Sequence, residues 1–99
     1  MIQIITSVSE ELFPYVTFES TAKVNKFLLE SQKSNYTNFF NNNTIEKMIT
    51  KNLYSLTNNK VIKLYLNYES IDYAKTLAYI YKVNVAFIYE WAYRFVNKI

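Results

Sequence analysis

Eight carboxylates, ten tyrosines and a single arginine are the side chains of this 99-residue chain from which chemistry could be built. The carboxylates are Glu10, Glu11, Glu19, Glu30, Glu46, Glu69, Asp72 and Glu90. None stands at a spacing that pairs a general acid with a base or gathers ligands around a metal. Glu10 and Glu46 sit at expected helix starts, and Glu69 and Asp72 flank another, where the helix macrodipole favours negative charge. A tyrosine nucleophile for cutting DNA needs Arg and His around the phosphate to take up developing charge. Arg94 is the lone arginine, and the chain has no histidine, cysteine or glycine. That removes the thiol nucleophile, the usual proton shuttle, the usual zinc ligands and any glycine-rich phosphate loop. The expectation is a binding protein, not an enzyme, with no cofactor and no metal.

The tyrosines admit a second use. Stacking platforms for single strands set aromatic rings beside basic side chains, and Tyr81-Lys82 and Tyr93-Arg94 are such pairs. Tyrosine as a half-buried residue at the rim of a core explains most of them more simply. Trp91, the single tryptophan, reads as a core anchor.

These residues must be held by a small scaffold. Half of the chain is hydrophobic and 18% is aromatic, which is enough for one core and too apolar for a disordered tail. Residues 1–99 read as a single domain with no Pro/Gly linker. Phe, Tyr, Ile, Asn and Lys abound, while Gly is absent and Pro occurs once. The favoured residues have AT-rich codons, so the gene reads as coming from an AT-rich virus, mobile element or organelle. The net charge is +3, with lysines scattered and not in runs, which permits a polyanionic partner without requiring one. No secretory signal is evident, and no apolar run reaches the length of a membrane span. The expected location is intracellular: host cytoplasm, organelle interior or virion interior.

Periodicity predicts mostly helices. Met1 to Thr6 allows a short strand. Ser7 and Glu10 have capping-box spacing, so a short helix is expected next and should stop near Phe13, before Pro14. Phe18 to Gln32 is helical, with Val24, Phe27, Leu28 and Ser31 on one face. Ser34 to Asn43 is a polar loop. A helix capped by Asn43 carries the stripe Ile45, Met48, Ile49, Leu53 and Leu56 and ends at Asn58-Asn59. Val61 to Tyr68 suits either a strand or a helix, and the helical segments C-terminal to it favour helix. Ser70 caps a helix to Tyr81, with Ile71, Ala74, Leu77, Ala78 and Tyr81 lining one face. After Lys82-Val83-Asn84, a last helix from Val85 to Val96 turns Ile88, Trp91, Ala92 and Phe95 inward. The fold class is therefore mainly α, a small bundle of four or five helices.

The stretch 61–96 has finer detail. Ala78, Val83, Ile88 and Trp91 stand at the intervals of a small residue on a second helix, a plug in the turn, and an aliphatic residue and Trp on a third. In this it resembles the trihelical helix-turn-helix unit of transposases, excisionases and MerR-type regulators. Lys82 occupies the turn position usually held by glycine there. The resemblance implies nucleic-acid binding, DNA ahead of RNA. Lys75, Lys82, Arg94 and Lys98 would then touch phosphate, and Asn84 and Tyr93 would face the groove. A generic helical bundle accounts for the same apolar spacing equally well.

The outward face of the last helix is expected to show Ala86, Phe87, Glu90, Tyr93, Arg94 and Asn97. A groove reader carries Arg, Lys, Asn, Gln or Ser there. An aromatic face with one arginine suits a protein partner better. The alternative is thus an adaptor, inhibitor or accessory subunit of a larger assembly that uses Phe87, Tyr89 and Tyr93. A homo-oligomer is compatible with both readings.

Overall fold

A computed structural model of the chain describes residues 1–33 and 59–99. The expected loop at Ser34 to Asn43 and the helix over Ile45 to Leu56 lie outside the described residues.

Ile2 to Ser9 forms strand β1, which runs past Thr6 and absorbs Ser7, so the capping box does not form. A 3₁₀ turn, Phe13–Tyr15, comes next and holds Pro14 inside it, where the missing amide hydrogen costs nothing. Helix α1 spans Phe18–Lys33, helix α2 spans Tyr68–Tyr81 and helix α3 spans Val85–Asn97. Between α1 and α2 lies strand β2, Asn59–Leu66, antiparallel to β1 in a register that runs from Ile2–Leu66 to Ser9–Asn59.

Strand β2 corrects the fold class. The described residues form three α-helices and a two-stranded antiparallel sheet, not a bundle of four or five helices. The physical reason is period. Ile62, Leu64 and Leu66 are buried while Val61, Lys63 and Tyr65 are exposed, the alternation of a half-buried strand. The unit before the helix-turn-helix joint is therefore a strand and not a third helix. The same register places β1 alongside β2, so the short strand allowed at the N-terminus becomes a full eight-residue partner.

One core holds these elements. It joins Val8 and Leu12, Val24 and Leu28 of α1, Leu64 and Leu66 of β2, Ile71, Ala74 and Leu77 of α2, and Ile88, Trp91 and Ala92 of α3. α1 packs on α2, α3 and β2, and α3 packs on β1. Phe27 of α1 stacks on Phe95 with ring centroids 4.6 Å apart and meets Trp91 at 5.7 Å, so the tryptophan is seated against α1.

Three helix ends have specific chemistry. α2 starts earlier than its sequence suggests: Asn67 is the N-cap, and Ser70 lies buried inside the helix. The Asn67 amide donates to Asn25 Oδ1 at 2.9 Å, and the Ser70 hydroxyl donates to the same oxygen at 2.8 Å. Lys82 ends α2 at φ 57°, in the left-handed region that glycine would otherwise fill. Asn84 then caps α3 by accepting from the Ala86 amide at 2.9 Å.

Candidate functional site

Helix α3 carries four of the eight residues with an expected role, Phe87, Tyr89, Tyr93 and Arg94, so its surroundings decide what they can do. Every residue from Ala86 to Arg94 is buried. The face expected to point outward therefore points into the protein: Phe87, Glu90, Tyr93 and Arg94 are covered. A helix buried all round is a central element, packed here between α1, α2 and β1.

The polar residues on that helix are used internally. Glu90 has 0% exposure. Its Oε1 accepts from the Ser9 amide at 2.8 Å, and its Oε2 accepts from the Ser9 hydroxyl at 2.7 Å and from Arg94 Nε at 2.8 Å. Arg94 Nη2 also donates to Ser9 Oγ at 3.1 Å and lies 3.7 Å from the exposed carboxylate of Glu11. A hydroxyl, a carboxylate and a guanidinium together could suggest nucleophilic chemistry. These groups are enclosed and bonded to one another, and they tie the end of β1 to α3. The Tyr93 hydroxyl shares a 2.6 Å hydrogen bond with Thr21 of α1. Burial pushes the Tyr93 phenol up to about 12, partly opposed by that bond, and burial alone pushes Tyr89 up to about 12.

The remaining basic candidates are exposed. Lys75 lies on α2, Lys82 in the turn and Lys98 at the C-cap of α3. Lys82 and Lys98 flank the two ends of α3, whose 13 residues span about 20 Å at 1.5 Å per residue. Asn84 is exposed in the same turn as Lys82, with its side-chain oxygen engaged in the cap. Lys82 and Asn84 share the α2–α3 turn, Lys75 lies two turns before it on α2, Lys98 lies at the far end of α3, and Tyr93 and Arg94 are buried. Of the alternative protein-binding set, Phe87, Tyr89 and Tyr93 are all buried.

A shallow groove of about 470 Å³ lies beside the sheet, lined by Ile5, Thr6, Ser7, Asn59, Val61, Asn84, Val85 and Ala86. It contains no ionisable side chain, so nothing in its wall can exchange a proton near neutral pH. Among the described residues, no group of three His, Cys, Asp or Glu side chains could hold a metal ion. No helix among them is long and apolar enough to cross a membrane.

The surface carries large apolar side chains elsewhere. On α2, Tyr68, Asp72, Lys75 and Tyr79 are all exposed, Tyr79 at 86%. Tyr68 and Tyr79 are about three turns apart, which returns them to one face of the helix. This stripe is legible in sequence as the complement of the buried Ile71, Ala74, Leu77 and Ala78. The Ser9–Glu90 tie is not, because its partners are far apart in sequence. Comparison of the chain with protein-family models, with curated proteins and with solved structures gives no match.

Proposed function

We propose that the chain is a small non-catalytic binding protein whose partner is another protein, engaged through the outer face of α2. The observation that carries this reading is the enclosure of α3 from Ala86 to Arg94, which leaves that helix no free face to lay in a nucleic-acid groove. The α2 stripe supports it from the other side. Two exposed tyrosines flank Asp72 and Lys75, and Tyr is prominent among residues that dominate binding energy at protein interfaces.

A second reading is nucleic-acid binding through the α2–α3 joint. It is favoured by the three-residue connection Lys82-Val83-Asn84, with Lys75, Lys82 and Lys98 exposed. In this reading the contacts are to phosphate, since Arg94 and Tyr93 are enclosed.

Two measurements separate the readings. Titration into labelled duplex and single-stranded DNA at two salt concentrations reads phosphate contacts, at a logarithmic slope of roughly 0.9 per contact on duplex. Photo-crosslinking in cells from a probe at Thr76, beside the stripe, reads protein partners. The protein-partner reading expects a discrete adduct that Tyr68→Ser/Tyr79→Ser abolishes without lowering Tm. No adduct, together with steep salt-dependent DNA binding, overturns it in favour of nucleic acid.

A further inference from the structure

We infer that the molecule engaged by the outer face of α2 is a second copy of this chain, with the two α2 helices antiparallel about a two-fold axis. This rests on the reading of α2 as the docking face and names its occupant.

The first observation is spacing. Tyr68, Asp72, Lys75 and Tyr79 follow one another at intervals of four, three and four residues. At about 100° per residue this gathers all four within ~60° of the helix surface, the pattern of an a/d seam. Tyr68 and Tyr79 are 64% and 86% exposed, and Asp72 and Lys75 are exposed between them. The core side of the same helix is taken by Ile71, Ala74, Leu77 and Ala78, and α2 packs on α1 and α3.

The second observation is that the stripe is its own complement. Its intervals read the same in both directions, and its chemistry runs aromatic, acid, base, aromatic. Antiparallel pairing centred between Tyr73 and Ala74 sets Asp72 opposite Lys75 of the second copy, and Tyr68 opposite Tyr79 of the second copy. The two-fold axis makes each contact twice. Every acid then meets a base, and every tyrosine ring meets another, which suits offset or edge-to-face packing.

Charge also selects the orientation. Parallel pairing sets Asp72 against Asp72 and Lys75 against Lys75, and like charges across an interface are unfavourable. Only the antiparallel order satisfies both residues. A different protein would need a matching acid and base of its own, whereas a second copy carries them already. From Tyr68 to Tyr79 the seam is about 16 Å long at 1.5 Å per residue. One helix pair of that length buries less than a standard interface, so the self-association is weak and depends on concentration.

The test is sedimentation equilibrium of the full chain over a concentration series, with thermal melts to check folding. The parent is expected to dimerise. Asp72→Lys sets lysines opposite each other twice, and Lys75→Asp does the same with carboxylates. Each is expected to weaken the Kd roughly tenfold or more. Asp72→Lys/Lys75→Asp exchanges the charges, keeps every pairing and is expected to recover the parent Kd. An equimolar mixture of the two single variants is expected to form a heterodimer at concentrations where neither variant associates alone. If a single reversal costs the fold, Tyr68→Ser/Tyr79→Ser replaces it and is expected to abolish association. A parent that stays monomeric up to millimolar concentration overturns the proposal. So does a dimer whose Kd none of these variants changes, which would place the contact on another surface. The broader reading of α2 fails separately. A monomeric parent that still gives a Thr76 adduct with a different protein removes the second copy and keeps the docking face, and a monomeric parent with no adduct removes both.

Discussion

Glu90 and Arg94, one helical turn apart on α3, meet around a single oxygen: Glu90 Oε2 accepts from Arg94 Nε at 2.8 Å and from the Ser9 hydroxyl at 2.7 Å. Taking a carboxylate out of water is costly unless hydrogen bonds replace the lost hydration. Here both carboxylate oxygens are engaged, and the guanidinium has Ser9 and Glu11 as further neighbours. The pair fixes where β1 ends relative to α3.

Removing one partner is therefore expected to be worse than removing both. Glu90→Ala or Arg94→Ala leaves the other charge buried, and each is expected to destabilise the protein by about 3–5 kcal/mol. Glu90→Leu/Arg94→Met replaces the pair by apolar groups of similar size and is expected to recover much of that loss. Urea denaturation of the four proteins measures it. A double variant as unstable as the sum of the singles would mean that the pair is not acting as a unit.

The legibility of the fold in the sequence turns on the same residues. The buried stripes of α1 and α2 have clean helical period, and Val24 and Leu28, like Ile71, Ala74 and Leu77, lie inside as expected. β2 escapes a local reading because its short apolar run satisfies both periods, and only the sheet partner decides between them. The outward face of α3 is misleading for a different reason. Glu90 and Arg94 have the i, i+4 spacing of a solvent-exposed ion pair, and the distant Ser9 that completes their hydrogen bonding is invisible to local pattern. The exposed α2 stripe can be inferred, since it is what remains when the buried face is subtracted.

Asn25 offers a second long-range tie with a clear outcome. Its Oδ1 accepts from the Asn67 amide and from the Ser70 hydroxyl, so one side chain of α1 organises the start of α2. Asn25→Ala leaves a buried hydroxyl and a helix-start amide without that acceptor, and about 1–3 kcal/mol of stability is expected to be lost. Hydrogen exchange at the Asn67 amide checks the mechanism. Protection there should fall more than at Leu77, deeper in the same helix. Uniform loss along α2 would assign the effect to packing instead.

Lys82 holds a left-handed conformation at φ 57° and ψ 44° with its amide in the helix-closing bonds to Ala78 and Tyr79. A side chain with Cβ is strained there by about 1–2 kcal/mol, while glycine loses more backbone entropy on folding, about 0.5–1 kcal/mol. Lys82→Gly is thus expected to stabilise the protein by roughly 0.5 kcal/mol, raising Tm by a few degrees, and Lys82→Val to lower it. The same lysine is a phosphate-contact candidate. If nucleic acid binds at the α2–α3 joint, Lys82→Gly should weaken binding and reduce its salt slope while Tm rises, a separation of function from stability that thermal melts and anisotropy can read on one sample.

The buried tyrosines predict how the protein fails in alkali. Tyr89 and Tyr93 hold their protons up to about 12 because burial disfavours the phenolate. In the unfolded chain both lose them near 10. Between those values the folded state binds more protons than the unfolded state, so stability falls as pH rises through that window and is fully present below it. Absorbance at 295 nm should show a late, cooperative component that coincides with loss of helical circular dichroism. Tyr93→Phe deletes one of the two late groups and the Thr21 hydrogen bond together. At pH 7 it is expected to cost about 1 kcal/mol. At pH 11 the difference from the parent should shrink or reverse, because the variant no longer carries that buried phenol. An unchanged gap between pH 7 and pH 11 would show that Tyr93 is not among the groups that drive alkaline unfolding.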